Sequence, residues 1–92
     1  MSFTFEWDDE KAASNLKKHG VPFEEALAIF LDPHRIERYD DREAYGEDRF
    51  ITVGETNADI LVIAYTIRDD TLRIISVRKA KPHEQRDYRE NR

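Results

Sequence analysis

The spacing of apolar residues changes several times along this chain, and each change marks an element. Phe3, Phe5 and Trp7 alternate with polar partners in "SFTFEW", the period of two of a half-buried strand. Asp8 follows as an N-cap, and Asp9 and Glu10 suit the positive end of a helix. Ala12, Ala13 and Leu16 supply a narrow apolar stripe. Lys17, Lys18 and His19 occupy the last turn, and Gly20 ends the helix. A second helix, with Pro22 in its first turn, carries Phe23, Ala26, Leu27, Phe30 and Leu31 at i, i+3, i+4, i+7 and i+8. Asp32-Pro33 stops it.

Beyond Pro33 the period returns to two. "RIERY" reads as a short edge-like strand, "AYGED" as a turn and "RFITVG" as another strand. After the loop "ETNAD", the near-continuous apolar run "ILVIAYTIR" has the character of a central strand buried on both faces. "DD" turns the chain into "TLRIISVRK", and the polar "KPHEQRDYRENR" reads as a short helix. Strand, two helices, four strands and a helix predict one α+β domain over residues 1–92. The expected architecture is a mainly antiparallel or mixed sheet with the helices against one face. The expected core is Phe3, Phe5, Trp7, Leu16, Phe23, Leu27, Phe30, Leu61, Ile63 and Ile75.

Composition narrows the chemistry. A chain of 92 residues suits one domain. There is no Cys, which removes disulfides, Cys-ligated zinc and thiol catalysis. No signal segment and no apolar run long enough for a membrane span is visible, so a soluble cytoplasmic protein is expected. His19, His34 and His83 do not fall at metal-ligand spacing, and no Gly-rich phosphate loop exists, so neither a metal nor a cofactor is expected. The helix-end position of His19 already explains its presence.

The net charge of −5 argues against simple non-specific nucleic-acid binding, but it is unevenly spread. Residues 1–60 carry 15 acids against 7 bases, and residues 61–92 carry 5 against 8. Arg73, Arg78, Lys79, Lys81, Arg86 and Arg89 lie in the last stretch, with Glu84 and Tyr88 between them. A guanidinium grips phosphate oxygens through two parallel hydrogen bonds, a ring stacks on a splayed base, and a carboxylate can move a proton. Those groups suffice for RNA cleavage by an internal 2′-hydroxyl. They equally suit a solvated helix laced with i, i+4 ion pairs.

The string W-D-x-x-K-x-x-x-N-x-x-K-H-G, from Trp7 to Gly20, resembles the BrnT-type toxins of bacterial toxin–antitoxin systems. "YGEDRFITVG", "LVIAYTIR" and "RIISVRKAKPHEQRDY" extend the resemblance, in order, over nearly the whole chain. It implies a RelE-like fold and a ribonuclease that arrests translation. It also implies a BrnA-like ribbon-helix-helix antitoxin that neutralises the toxin and brings the complex to its operator DNA. By the resemblance, Arg78, Lys79, Arg86 and Tyr88 match the functional positions, and Arg49 and Arg68 match the family string. The site expected on these grounds is Arg78, Glu84 and Tyr88 for catalysis, with Arg49, Arg68, Arg73, Lys79 and Arg86 binding RNA. The acidic balance supports a second reading, a non-catalytic partner of the antitoxin on the same fold. Most of the Phe5–Phe30 stretch reads as architecture, although Lys11, Asn15 and Lys18 share a helical face open to RNA or antitoxin.

Strand parity constrains that site. If Asp69-Asp70 is a two-residue turn, Arg68 pairs with Thr71 and Thr66 with Arg73. Arg68 and Arg73 then share a face and Arg78 points to the other, whereas a three-residue loop reverses this. Two clusters are therefore expected: Arg49, Arg68 and Arg73 near the hairpin end, and Arg78, Lys79, Arg86 and Tyr88 near the last helix. The second is favoured as catalytic.

Overall fold

A computed structural model describes residues 4–42, 44–57 and 59–91. Its elements run β1 (Thr4–Glu6), α1 (Asp9–His19), α2 (Glu25–Ile29), β2 (Ile36–Tyr39), β3 (Phe50–Glu55), β4 (Ile60–Arg68), β5 (Thr71–Lys79) and α3 (Pro82–Glu90). They form an α+β domain around one five-stranded sheet of order β1-β5-β4-β3-β2. The β2–β3, β3–β4 and β4–β5 pairs are antiparallel, and β1 lies parallel to β5.

Local chemistry sets the first helix. The Asp8 carboxylate accepts from the backbone N–H of Glu10 at 2.8 Å and of Lys11 at 3.1 Å, filling donors that a helix start leaves open. Gly20, at φ +72°, closes the helix in the left-handed region and donates its N–H to the Leu16 carbonyl.

The sheet buries both faces at β4, as its apolar run requires. Leu61, Ile63 and Tyr65 join Val21, Phe23, Ala26, Ile29, Phe30, Leu72, Ile74 and Val77 under α1 and α2, with Phe5 and Trp7 packed partly against them. Ile60 and Val62 face the other way, toward Ile51, Val53, Ala80 and Tyr88. The helices therefore do not share one face: α3 packs opposite α1 and α2. The Pro82 helix leaves β5 directly after Ala80, which points into the second cluster and carries the chain to that side.

Several expected core residues lie elsewhere. Phe3 falls outside the described residues. Leu27 is 38% exposed, Leu31 75% and Leu16 49%, while Ile29 and Ala26 are fully buried. The second helix is only five residues long and is flanked by i→i−3 bonds, among them Ala26 N–H to Phe23 O and Asp32 N–H to Ile29 O. A three-residue turn stacks Phe23, Ala26 and Ile29 in line, which brings Ile29 in and turns Leu27 out. Ile75 is only partly buried, because β5 bulges there. Phe23, Phe30, Leu61 and Ile63 are buried as expected.

Asn15 is the buried position of α1. Its Nδ2 donates to the carbonyls of Val77 at 2.8 Å and Val21 at 3.0 Å, and its Oδ1 accepts from the Val77 N–H at 3.2 Å. It thus lies at the base of the helical face it shares with Lys11 and Lys18, which line one depression with it, but its own polar atoms are taken up by Val21 and Val77.

Candidate functional site

The β4–β5 hairpin turns on Asp69 and Asp70, at φ +49° and +66°, and pairs Arg68 with Thr71 and Thr66 with Arg73. Of the two alternatives left open by the sequence, this is the two-residue turn. Between Tyr65↔Ile74 and Ala64↔Ser76, however, Ile75 is an extra residue on β5. One inserted residue reverses parity. Arg78, opposite Val62, therefore shares the α3 face of the sheet with Arg73, opposite Thr66. Four residues of β4 separate the two positions, roughly 13 Å along the strand.

Two more arginines reach the same face from neighbouring strands. Arg38 on β2 pairs with Ile51, which belongs to the α3-side cluster. Arg49 precedes Phe50, whose ring turns to the α1/α2 side, so Arg49 points to the α3 side beside Thr66. Arg68 and Thr66 are two residues apart on β4 and share that face as well.

Arg78 and Glu84 are brought into direct contact. Both guanidinium amino groups donate to the Glu84 carboxylate, each at 2.8 Å, and Nη1 also donates to the Lys79 carbonyl at 3.2 Å. Glu84 additionally accepts from the Lys81 N–H at 2.8 Å, at the start of α3. The Arg78 guanidinium, helped by that N–H, holds the Glu84 carboxyl down at about 2 against burial, which pushes it up. The pair is half-sheltered, with 25% of the Arg78 side chain and 12% of the Glu84 side chain exposed.

The hairpin-end arginines are also matched to carboxylates. Arg73 lies 3.6 Å from Glu6, Arg68 3.0 Å from Glu47, and Arg49 Nε 3.6 Å from Glu47. The Arg49 guanidinium rests 3.9 Å over the Tyr45 ring, a cation–π contact. Tyr45 is itself tied by its hydroxyl to Asp40, which is buried and gripped by Arg42 through two bonds of 2.7 and 2.8 Å. That cluster braces Tyr45 and, through its ring, Arg49.

The remaining expected site residues lie apart from Arg78. Lys79 pairs with Leu61 on the α1/α2 face and reaches Asp59 at 3.7 Å. Arg86 is exposed on α3, two residues before the buried Tyr88 and so on the helix's outer side. The Tyr88 hydroxyl donates to Asp32 in the interior. Burial raises the Asp32 carboxyl, but the bonds from Tyr88, Glu55 N–H and His34 N–H outweigh it and leave the group below its ordinary value.

The sequence reading missed a groove between α3 and the β2 side of the sheet. Ile36 and Val53 form its floor, and Arg38, His83, Glu84, Asp87 and Asn91 its walls, around a volume of about 360 Å³. The period of α3 could have flagged His83 and Asp87 together with Asn91, at i, i+4 and i+8. Arg38 depended on the β2–β3 register, which no turn signal fixes. Among the described residues, no three His, Asp or Glu side chains gather as they would around a metal ion, and no helix is long and apolar enough to cross a membrane.

No curated protein matches the chain. The family model described as the ribonuclease toxin BrnT of type II toxin–antitoxin systems matches residues 7–84, which include Arg78 and Glu84 and stop short of Arg86 and Tyr88. A match over that much of the chain, on a mixed five-stranded sheet that collects arginines on one face, shows that this protein belongs to the BrnT family of ribonuclease toxins.

Proposed function

We propose that this chain is an active endoribonuclease that cuts RNA on the open, α3-side face of the sheet, at Arg78, and thereby blocks translation in the cytoplasm. The observation that carries this reading is the bulge at Ile75, which turns Arg78 onto the face already holding Arg73 and Arg49. In the reaction, the 2′-oxygen of one nucleotide attacks the adjacent phosphorus as the bond to the 5′-oxygen breaks. The products are a 2′,3′-cyclic phosphate and a 5′-hydroxyl. Arg78 stabilises the crowded phosphorane with two parallel donors, and no metal is needed for that role. The hairpin-end arginines hold flanking phosphates.

Glu84 serves the same reading twice. In the free chain it holds the Arg78 fork in one orientation. When a substrate phosphate takes those donors, Glu84 loses the contact that keeps its pKa at about 2 and becomes able to accept the 2′-proton. Water supplies the proton for the leaving 5′-oxygen, and Glu84 later releases its own. Tyr88 supports α3 through Asp32, and its hydroxyl reaches RNA only if that contact opens.

A type II toxin family implies an antitoxin partner. In this proposal it is a BrnA-like ribbon-helix-helix protein whose acidic segment covers Arg78 and its neighbours, and the complex meets operator DNA only through it. Raised salt then slows association, and residues 73–90 gain hydrogen-exchange protection in the complex.

Glu84 filling both guanidinium donors favours a second reading, a non-catalytic partner of the antitoxin. Induced expression, together with cleavage assays on purified protein with and without ribosomes, decides between them. Folded Arg78→Ala loses growth arrest and at least about 10²-fold in rate, the scale of one lost charge-stabilising donor. Parental cleavage by that variant places the site elsewhere. A parent that neither arrests growth nor cuts RNA establishes the second reading.

A further inference from the structure

The groove beside the Arg78–Glu84 pair is built for something other than phosphate. Its floor is the apolar Ile36 and Val53, its two walls come from different elements, and those walls differ in chemistry. Arg38 on β2 offers a planar fork of donors. Asp87 on α3 offers two acceptor oxygens, with the His83 imidazole one turn earlier on the same wall. Neither the Arg38 nor the Asp87 side chain makes a hydrogen bond or ion pair within the protein among the described residues, whereas Arg49, Arg68, Arg73 and Arg78 each lie against a glutamate. Glu84 lines the groove and binds Arg78, so a strand held at Arg78 brings its neighbouring base to this opening.

We propose that the α3–β2 groove is a nucleobase subsite that reads guanine next to the cleaved bond. Guanine matches both walls: its O6 and N7 are paired acceptors for a guanidinium, and its N1–H and N2–H are paired donors for a carboxylate. Adenine and cytosine present an amino donor without a second donor beside it, and uracil presents no amino group. Ile36 and Val53 cover one face of the base, and the imidazole of His83, which lines the same groove, is an aromatic ring of the kind that stacks on a base. This inference rests on the reading of the open face as the RNA path, and it names what that path selects.

The test combines cleavage and binding. The purified chain is given a mixed-sequence RNA pool and its cut ends are mapped. Binding of 2′-O-methyl oligonucleotides, which lack the attacking hydroxyl, is measured with guanine, adenine, cytosine or uracil at one varied position. The parent shows guanine enriched at one position beside the cut and binds guanine oligonucleotides roughly ten-fold or more tightly than the others. Asp87→Asn and Arg38→Gln, both at exposed positions, lose that preference while still cutting and binding the pool. Cleavage or binding without a guanine preference, or a preference unchanged in both variants, overturns the subsite and leaves the ribonuclease reading intact. Guanine-selective binding that Asp87→Asn abolishes, in a chain that does not cut, supports the subsite and defeats the catalytic reading instead.

Discussion

Asn15 pairs with Val77 as a neighbouring strand would. Its amide donates to the Val77 carbonyl and accepts from the Val77 N–H, across 62 positions of sequence. The reason is topological. β1 is three residues long and covers β5 only from Thr71 to Arg73, so the later part of that strand edge would otherwise present unpaired backbone groups. One side chain on α1 closes the edge where β1 stops, next to the turn into α3 that carries Glu84.

Replacing Asn15 should therefore cost more than its size suggests. Asn15→Ala strands three buried backbone groups: the Val77 N–H, the Val77 carbonyl and the Val21 carbonyl. At about 1–3 kcal/mol for each group left unsatisfied, and with water reaching some of them, a loss of roughly 2–4 kcal/mol is expected. Asn15→Asp keeps the acceptor but sets a carboxylate against two carbonyls, so it is no better near neutral pH. Urea unfolding followed by the fluorescence of Trp7, packed edge-on against Phe23 at 5.9 Å, reads the change. A midpoint equal to the parent's contradicts the pairing.

The contact between α2 and β3 has a similar single-atom basis. A Cβ at Gly54 would lie 2.7 Å from Ile29 Cγ2 and 3.2 Å from the Ile29 carbonyl oxygen. Ile29 is fully buried and its Cγ2 sits on a stiff, β-branched carbon, so neither side can move away cheaply. Gly54→Ala should destabilise by about 1–3 kcal/mol through overpacking. Ile29→Ala should cost about 2–5 kcal/mol as a cavity, and Leu27→Ala far less. If the Leu27 change proves the larger in denaturant melts, α2 packs through Leu27 rather than Ile29.

That contrast shows what the sequence carried and what it did not. The caps at Asp8 and Gly20, the central strand at Ile60–Arg68 and the presence of a turn at Asp69-Asp70 were all legible, because each depends on chemistry within a few residues. The inward face of α2 was not, since a 3.6-residue period was assumed from Phe23 to Leu31, where a five-residue α-helix is flanked by turns that run at three. The site failed for a comparable reason. Parity along β5 is sound reasoning until a bulge intervenes, and Ile75 is chemically the same as the unbulged Ile74. Arg38 was invisible because its neighbours come from register, and Asn15 looked like surface chemistry because its partner lies 62 residues away.

Acid should expose the Arg78–Glu84 contact. The Glu84 carboxyl titrates at about 2 in the folded chain, below its ordinary value of 4.5. A group depressed by folding contributes stability that is complete above its unfolded pKa and is lost as pH falls through the folded one. Stability should thus decline between about pH 4.5 and 2, with Glu84 accounting for roughly 2–3 kcal/mol of the fall. Asp40, held at about 2 chiefly by Arg42, adds a second decline from 3.8 downward. Glu84→Gln should flatten its share of the curve and leave that of Asp40. An identical acid limb in parent and variant would show that the pair carries no stability.

The last expectation separates the two faces of the sheet by charge effects alone. Arg73 and Lys79 are cations six residues apart on β5, yet the bulge and alternation send them to opposite sides. If RNA lies along the α3-side face, Arg73→Ala removes a phosphate contact, whereas Lys79→Ala removes a cation facing Asp59 on the other side. A lost phosphate contact weakens binding for every sequence alike and lowers the slope of log affinity against log salt by about 1. Arg73→Ala and Arg49→Ala should show that signature with a 2′-O-methyl oligonucleotide. Lys79→Ala and Arg86→Ala should keep the parental slope. Because Arg73 also touches Glu6, Arg73→Lys serves as the control: it preserves the charge, so it should restore most of the salt slope while giving up the bidentate grip. Should Lys79→Ala lower the slope and Arg73→Ala leave it unchanged, RNA crosses the α1/α2 side, and the bulge at Ile75 has no part in aligning the arginines for binding.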